Sequence, residues 1–238
     1  MKKIFLIISV FCFSIIANAQ KQFVVDENAE LRTLNGSFTS IMVWGGIDVY
    51  LSQSDKEEIA ISASEERYKE GIKTVVEGNT LKVYYDGDKH WNGRNKQLKA
   101  YISFKDLEKL EASGASDIIV AGEIKVPSLL MKLSGASDFK GSITVTTLKL
   151  DLSGASDVTL SGMASVVNIE SSGASDVKAY ELITDVCTAK ASGASDVNIT
   201  VNKELNAHAS GASDIFYKGS AVLKDFESSG ASTIRRKN

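Results

Sequence analysis

The sequence predicts an all-β fold, a single-domain parallel β-helix (a solenoid) with coils of about 19–20 residues and a less regular N-terminal β section. Three observations predict it. Ser-Gly-Ala-Ser occurs seven times, at Ser113, Ser134, Ser153, Ser172, Ser192, Ser210 and Ser229, at steps of 21, 19, 19, 20, 18 and 19 residues. A fixed period near 20 marks stacked units that bury their apolar sides on one another, and it is too short for a helix, a strand and two loops. Counting back from each motif serine, positions −1, −3 and −5 are apolar or small and the positions between them are mostly polar. Leu152, Leu150 and Leu148 show this, as do Leu133, Met131 and Leu129. Such alternation is a strand with one buried face. Five residues past each motif serine stands another apolar side chain: Ile118, Phe139, Val158, Val177, Val197, Ile215 and Ile234. Each unit therefore reads strand, corner, strand.

Taken in order, the chain begins with Lys2-Lys3, an apolar run from Ile4 to Ile16 and Ala17-Asn18-Ala19. This is the pattern of a secretory signal peptide over residues 1–19, with cleavage expected before Gln20. Thirteen apolar residues are too few for a comfortable membrane span. Residues 20–35 read as a lead-in segment and cap, and residues 36–238 as the β-helix, with the regular repeats at 107–238. Residues 36–110 are expected to form longer first coils. There Gly46-Ile47-Asp48-Val49 resembles a worn corner one residue shorter than the others, and Ile59–Ser62 and Leu81–Tyr85 alternate as strands around a Gly78-Asn79 turn. A helical turn is predicted from Ser64, as its cap, to Glu70. Asp86–Gln97 reads as a polar loop containing Trp91.

The corner chemistry is explicable residue by residue. Glycine supplies a backbone angle that other residues avoid. Alanine allows close stacking, and Ser or Asp can bond local backbone N–H groups. The outward ladder at position −2 reads Glu111, Lys132, Asp151, Glu170, Lys190, His208 and Glu227. Neighbours in it would lie about 4.8 Å apart. Opposite signs are expected to meet at Glu111–Lys132, Lys132–Asp151, Glu170–Lys190 and, with a charged histidine, His208–Glu227. Exposed pairs of this kind select register more than they stabilise.

Composition narrows the function classes. Loss of Lys2 and Lys3 with the leader takes the formal net charge from −3 to −5. That argues against nucleic acid as a partner. Of the two cysteines, Cys12 lies in the leader and Cys187 on the inward face, so the mature chain has no internal disulfide and Cys187 reads as a core residue. No second apolar stretch suggests a transmembrane segment.

The stretch Gly45-Gly46-Ile47-Asp48-Val49-Tyr50-Leu51, followed by repeated Ser-Gly-Ala-Ser-Asp corners, resembles the auto-transporter adhesin "head GIN" domain family of exported bacterial proteins. The resemblance covers roughly residues 38–218. It implies a parallel β-helix and an adhesive role, and it brings no catalytic residues. No membrane-barrel segment follows the repeats in this sequence, so a complete auto-transporter is not expected.

Two groups of residues are candidates for chemistry. Asp117, Asp138, Asp157, Asp176, Asp196 and Asp214 follow six of the seven motifs, with Thr233 after the last. Carboxylates about 5 Å apart repel by about 1 kcal/mol per pair even in water. Either each caps backbone N–H groups at its corner, or calcium ions sit between coils. Calcium wants six to eight oxygens, and one carboxylate per coil is a sparse cage. The second group is Trp91, Tyr84, Tyr85 and Tyr101, which cluster in sequence near the polar loop and could bind carbohydrate or simply pack. A flat ice-binding face is disfavoured, because the small residues lie at a corner and threonine is not dominant. No catalytic residues are assigned. The repeats before Arg235 hold no arginine, and His90 and His208 stand alone. A polysaccharide-lyase-like enzyme is thus a remote alternative. The expected function is that of a non-catalytic exported protein of the periplasm, cell surface or medium, presenting a rigid face to an envelope or surface glycan or protein. A purely structural solenoid is the competing reading.

Overall fold

The computed structural model describes residues 25–87 and 96–238. The leader, His90 and Trp91 lie outside the described residues. The strands are β1 (Glu30–Arg32), β2 (Ser40–Trp44), β3 (Asp48–Gln53), β4 (Glu58–Ser62), β5 (Ile72–Glu77), β6 (Thr80–Tyr85), β7 (Lys99–Phe104) and β8 (Lys109–Ser113). The longer ones follow: β9 (Ile118–Leu133), β10 (Phe139–Leu152), β11 (Val158–Ser171), β12 (Asp176–Ala191) and β13 (Asp196–Ala209). The stack finishes with β14 (Asp214–Lys218), β15 (Val222–Ser228) and β16 (Thr233–Arg236). From β8 onward every pairing is parallel and each coil lies on the next, giving the expected β-solenoid of about seven turns.

The inward ladders fall where the alternation places them. Ile118, Phe139, Val158, Val177, Val197 and Ile215 are at most 1% exposed, and Leu148, Leu150 and Cys187 are fully buried. Burial pushes the Cys187 thiol up to about 12, so it is an inert core side chain. At roughly 1.5–3 kcal/mol for each large apolar side chain removed from water, these columns are the main cohesion between coils.

Unequal repeat lengths are absorbed at a second corner. Register between β9 and β10 passes from Ile119↔Lys140 to Glu123↔Ser142, so β9 carries two extra residues there. Between β11 and β12 it passes from Thr159↔Lys178 to Ser161↔Glu181, one extra residue in β12. The Ser-Gly-Ala-Ser corner itself keeps its length throughout.

The N-terminal region has a different stacking order. β3 lies between β7 and β9, and β2 between β6 and β8. The chain therefore starts one rung inside the stack and leaves it. It returns as the end coil through β6 and β7, then crosses to β8. Antiparallel strands cover that end: β4 on β7, β1 on β4, and β5 on β6. Asp26 fixes the lead-in segment, accepting from Ser62 Oγ at 2.7 Å and from Lys99 Nζ at 3.0 Å. The hydrogen bond from Ser62 does most to hold the Asp26 carboxyl below the usual range. At the other end β15 and β16 form the last coil, and Val222 and Phe226 are about 60% exposed.

Two local expectations are corrected. The helix α1 spans Glu66–Gly71 with Glu65, still extended at φ −138° and ψ 150°, at its N-cap, so it begins after Ser64 rather than being capped by it. The Ser64 N–H is committed to Lys96 O at 2.9 Å, which keeps the chain extended there. The corner at 45–48 is also not shortened. Register pairs Trp44 with Ser113 and Val49 with Ile118, so Trp44-Gly45-Gly46-Ile47-Asp48 replaces Ser-Gly-Ala-Ser-Asp residue for residue.

Candidate functional site

The corner is a set of parallel columns, each with its own chemistry. The glycine column sets the geometry. Gly154 has φ +80°, and a Cβ there would stand 2.4 Å from Gly135 O and 2.9 Å from Gly135 N. No side chain fits, and the close approach lets Ala155 N donate to Gly135 O at 2.7 Å. The same bond recurs from Ala136, Ala174, Ala194, Ala212 and Ala231 at 2.7–2.8 Å, so the turn is itself a backbone ladder.

The second serine of each motif points inward and is fully buried in six copies. Its hydroxyl satisfies backbone that the corner would otherwise strand. In the first coils it accepts: Ile47 N donates to Ser116 Oγ at 3.2 Å, and Ser116, Ser137 and Ser156 each donate from N to the next serine's Oγ at 3.3–3.4 Å. From Ser175 the hydroxyl also donates to carbonyls. Ser195 Oγ bonds Ser171 O at 3.2 Å and Ser213 Oγ bonds Ala191 O at 2.9 Å. Two modes of one residue thus serve one position.

The aspartate column lies on the outer side of the corner. Its carboxylates reach into the next coil: Asp138 Oδ1 accepts from Asp157 N, and Asp196 Oδ1 from Asp214 N, both at 3.2 Å. The structure also places Asp48 beneath Asp117 as a further rung. Burial, then the charge of the neighbouring aspartate, pushes Asp48 and Asp117 above the usual carboxylate range. Asp196 rises as well, chiefly through burial. Lys178 answers part of the charge, 2.7 Å from Asp157 and 3.8 Å from Asp176. Among the described residues no three of His, Cys, Asp or Glu are grouped so as to hold a metal ion. The carboxylates stand one to a coil.

The outward ladder forms ion pairs at Lys132–Asp151 (3.6 Å), Glu170–Lys190 (3.6 Å) and His208–Glu227 (3.9 Å). Glu111 instead takes Lys109 of its own strand at 2.8 Å. Between this ladder and the first motif serines runs a cleft of about 970 Å³. It passes over six coils, from Met42 and Trp44 to Lys190 and Ser192.

The aromatic candidates are distributed over the N-terminal coils. Tyr84 stacks on Trp44, with ring centroids 4.5 Å apart and planes within 1°. Tyr85 packs against the core, with Lys96 Nζ 4.4 Å from its ring centroid. Tyr101 is buried on another face, stacked on Tyr50 at 5.1 Å. The structure does not bring Tyr84 and Tyr101 together, and Trp91 lies outside the described residues. Trp44 was not among the candidates. Its signal was its place as the residue before Gly45 of the worn corner, the slot a serine fills in every later copy.

These features define a class: a β-solenoid with invariant corners, carrying rows of repeated side chains along its axis. The chain belongs to the family described as "Putative auto-transporter adhesin, head GIN domain", which matches residues 37–221. Solved structures share the fold. A putative adhesin from Bacteroides fragilis NCTC 9343 is 23% identical with a TM-score of 0.81, over 89% of this chain and 98% of that one. A putative adhesin from Parabacteroides distasonis ATCC 8503 is 18% identical with a TM-score of 0.72, over 88% and 96%. A putative lipid binding protein from the same organism is 20% identical with a TM-score of 0.68, over 90% and 98%. No curated protein matches the chain by sequence.

Proposed function

We propose that this chain is an exported, non-catalytic adhesion module that holds an extended surface ligand along one face of its solenoid. The observation that carries the reading is the cleft over six coils, walled by repeated polar side chains on a backbone whose corners are hydrogen-bonded from coil to coil. A rigid periodic face keeps many weak contacts in register without ordering cost on binding. Export is supported by the basic start, the apolar run and the small-x-small site of residues 1–19. Among the described residues no helix is long and apolar enough to cross a membrane.

The test uses the full-length chain in its producing cell and the purified mature form. Fractionation followed by N-terminal sequencing should find a protein beginning at Gln20 outside the cytoplasm. Beads coated with residues 20–238 should adhere to bacterial or host surface preparations more than beads coated with a heat-unfolded control. A cytoplasmic, uncleaved protein, or coated beads no more adhesive than the control, would refute the proposal.

A further inference from the structure

The in-register column at the first corner position reads Tyr84, Trp44, Ser113, Ser134, Ser153, Ser172 and Ser192. Its first two members fill their coils with parallel rings. These residues are neighbours in adjacent coils, so the stack runs along the solenoid axis. From Ser113 onward the side chain shrinks to a hydroxymethyl group, and the cleft opens over the serines that follow. The face of Trp44 turned away from Tyr84 therefore closes one end of the cleft.

We infer that this cleft binds an extended, uncharged carbohydrate whose end ring stacks on Trp44 and whose following rings lie over the serine row. The inference rests on the adhesion reading above and names its site and ligand class. A pyranose has an apolar face that matches an indole and a rim of hydroxyls that needs both donors and acceptors. The cleft wall supplies both, with Lys132 and Lys190 among Glu111, Asp151 and Glu170. The signs are mixed, which suits neither a polyanion nor a polycation. Asp151 Oδ1 is shielded from solvent and has no hydrogen bond, only the Lys149 ammonium at 3.4 Å, so it offers an acceptor to a ligand hydroxyl. A peptide added as a strand would need unpaired backbone. Here the corner backbone is taken, with Ser134 N bonded to Ala112 O and Ser153 N to Leu133 O at 3.0 Å. Five coil steps span about 24 Å, enough for about five sugar rings in file.

The chain has two tryptophans, so Trp91→Phe leaves Trp44 as the one tryptophan reporter. That protein, residues 20–238, is titrated with neutral hexasaccharides of the gluco, manno, xylo and N-acetylglucosamine series, in parallel with calorimetry on the unsubstituted protein. The expected result is a saturable change in Trp44 emission with at least one series. Trp44→Ala should weaken the dissociation constant more than tenfold. Ser134→Trp, which fills the cleft from a partly exposed position outside the core, should abolish binding without lowering the melting temperature. No heat and no emission change with any series overturns the inference. So does binding untouched by Trp44→Ala and Ser134→Trp, or binding lost with Trp91→Phe alone, since either puts the sugar elsewhere. Adhesive beads made from protein that binds no sugar would sink this inference and leave the adhesion reading standing. Sugar binding by a protein whose beads do not adhere would do the reverse.

Discussion

The two ends of this solenoid are built by different rules. From β8 to β16 chain order and stacking order coincide, and each coil repeats the last at one position after another. Before β8 they do not. The β2–β3 rung lies inside the β6–β7 rung that follows it in the chain, and antiparallel strands cover the end. The lesson is about what a repeat reports. Where one coil lays the template for the next, a side chain that fits once is selected again. Where the chain must turn back to cover an edge, each contact is made once and no period survives.

The sharpest way to break the regular region while sparing the other is a single methyl group. Gly154→Ala places a Cβ 2.4 Å from Gly135 O, at φ +80°. Nothing can move aside, because the obstacle is backbone of the adjacent coil. The expected loss is about 3 kcal/mol or more, the range of substitutions that force backbone apart. Gly78→Ala in the β5–β6 hairpin makes a matched control. Its φ is +62° but nothing lies within 4 Å. It should lose only the left-handed backbone cost of about 1–2 kcal/mol. Denaturant unfolding of both variants checks this. Equal losses would mean that the corner column is looser than its distances imply.

The inner serine column sharpens the comparison further. Ser156→Val keeps the volume of the site but removes the hydroxyl that accepts from Ser137 N at 3.4 Å. Leaving that buried N–H alone should cost about 1–3 kcal/mol. The worn corner already carries Ile47 at this position and is fully buried there. Its own N–H is bonded to Ser116 Oγ at 3.2 Å, and no coil with the same corner precedes it to require a hydroxyl from it. Ile47→Ser should therefore also destabilise, through lost apolar burial rather than through a stranded N–H. If Ser156→Val melts at the native temperature, the serine ladder is packing and not hydrogen bonding.

How far the sequence could be read follows the same division. The corner, the inward ladders and the outward charges were legible because each recurs about every 19 residues and the period alone aligns them. The inward direction of the second serine was not, since parity at a corner is set by the turn and not by the strand on either side. Nor was the inverted order of the first two rungs. Nothing local in Ile59–Ser62 or Leu81–Tyr85 says which neighbour each strand will take. Trp44 was missed for a related reason. It occupies a serine slot, and only the register that pairs it with Ser113 and Tyr84 reveals that it ends a column.

The smallest expected effect lies in the aspartate column and depends on pH. Asp48, Asp117 and Asp196 have carboxyls raised above their usual range, by burial first. A group whose folded-state pKa is raised favours the folded state most when protonated. Its contribution is complete below the unfolded value and lost as pH rises through the folded one. Asp26 and Glu123 are shifted the other way, first by hydrogen bonds from Ser62 and Thr144. Their contribution is present above the unfolded value and lost as pH falls through the folded one. Mild acidification from neutrality should therefore stabilise the stack before stronger acid releases the Asp26 and Glu123 contacts. Asp117→Asn removes a partly buried charge that stands between Asp48 and Asp138. It should raise the melting temperature at pH 7 by about 2 °C at low salt, an advantage that shrinks as pH falls and as salt rises. Asp157→Asn should show no such gain, because it also breaks the 2.7 Å pair with Lys178. A melting series from pH 7 to pH 4 on the three proteins separates the outcomes. If Asp117→Asn is less stable than the parent at pH 7, the column is held by its hydrogen bonds and its mutual repulsion is already screened by water.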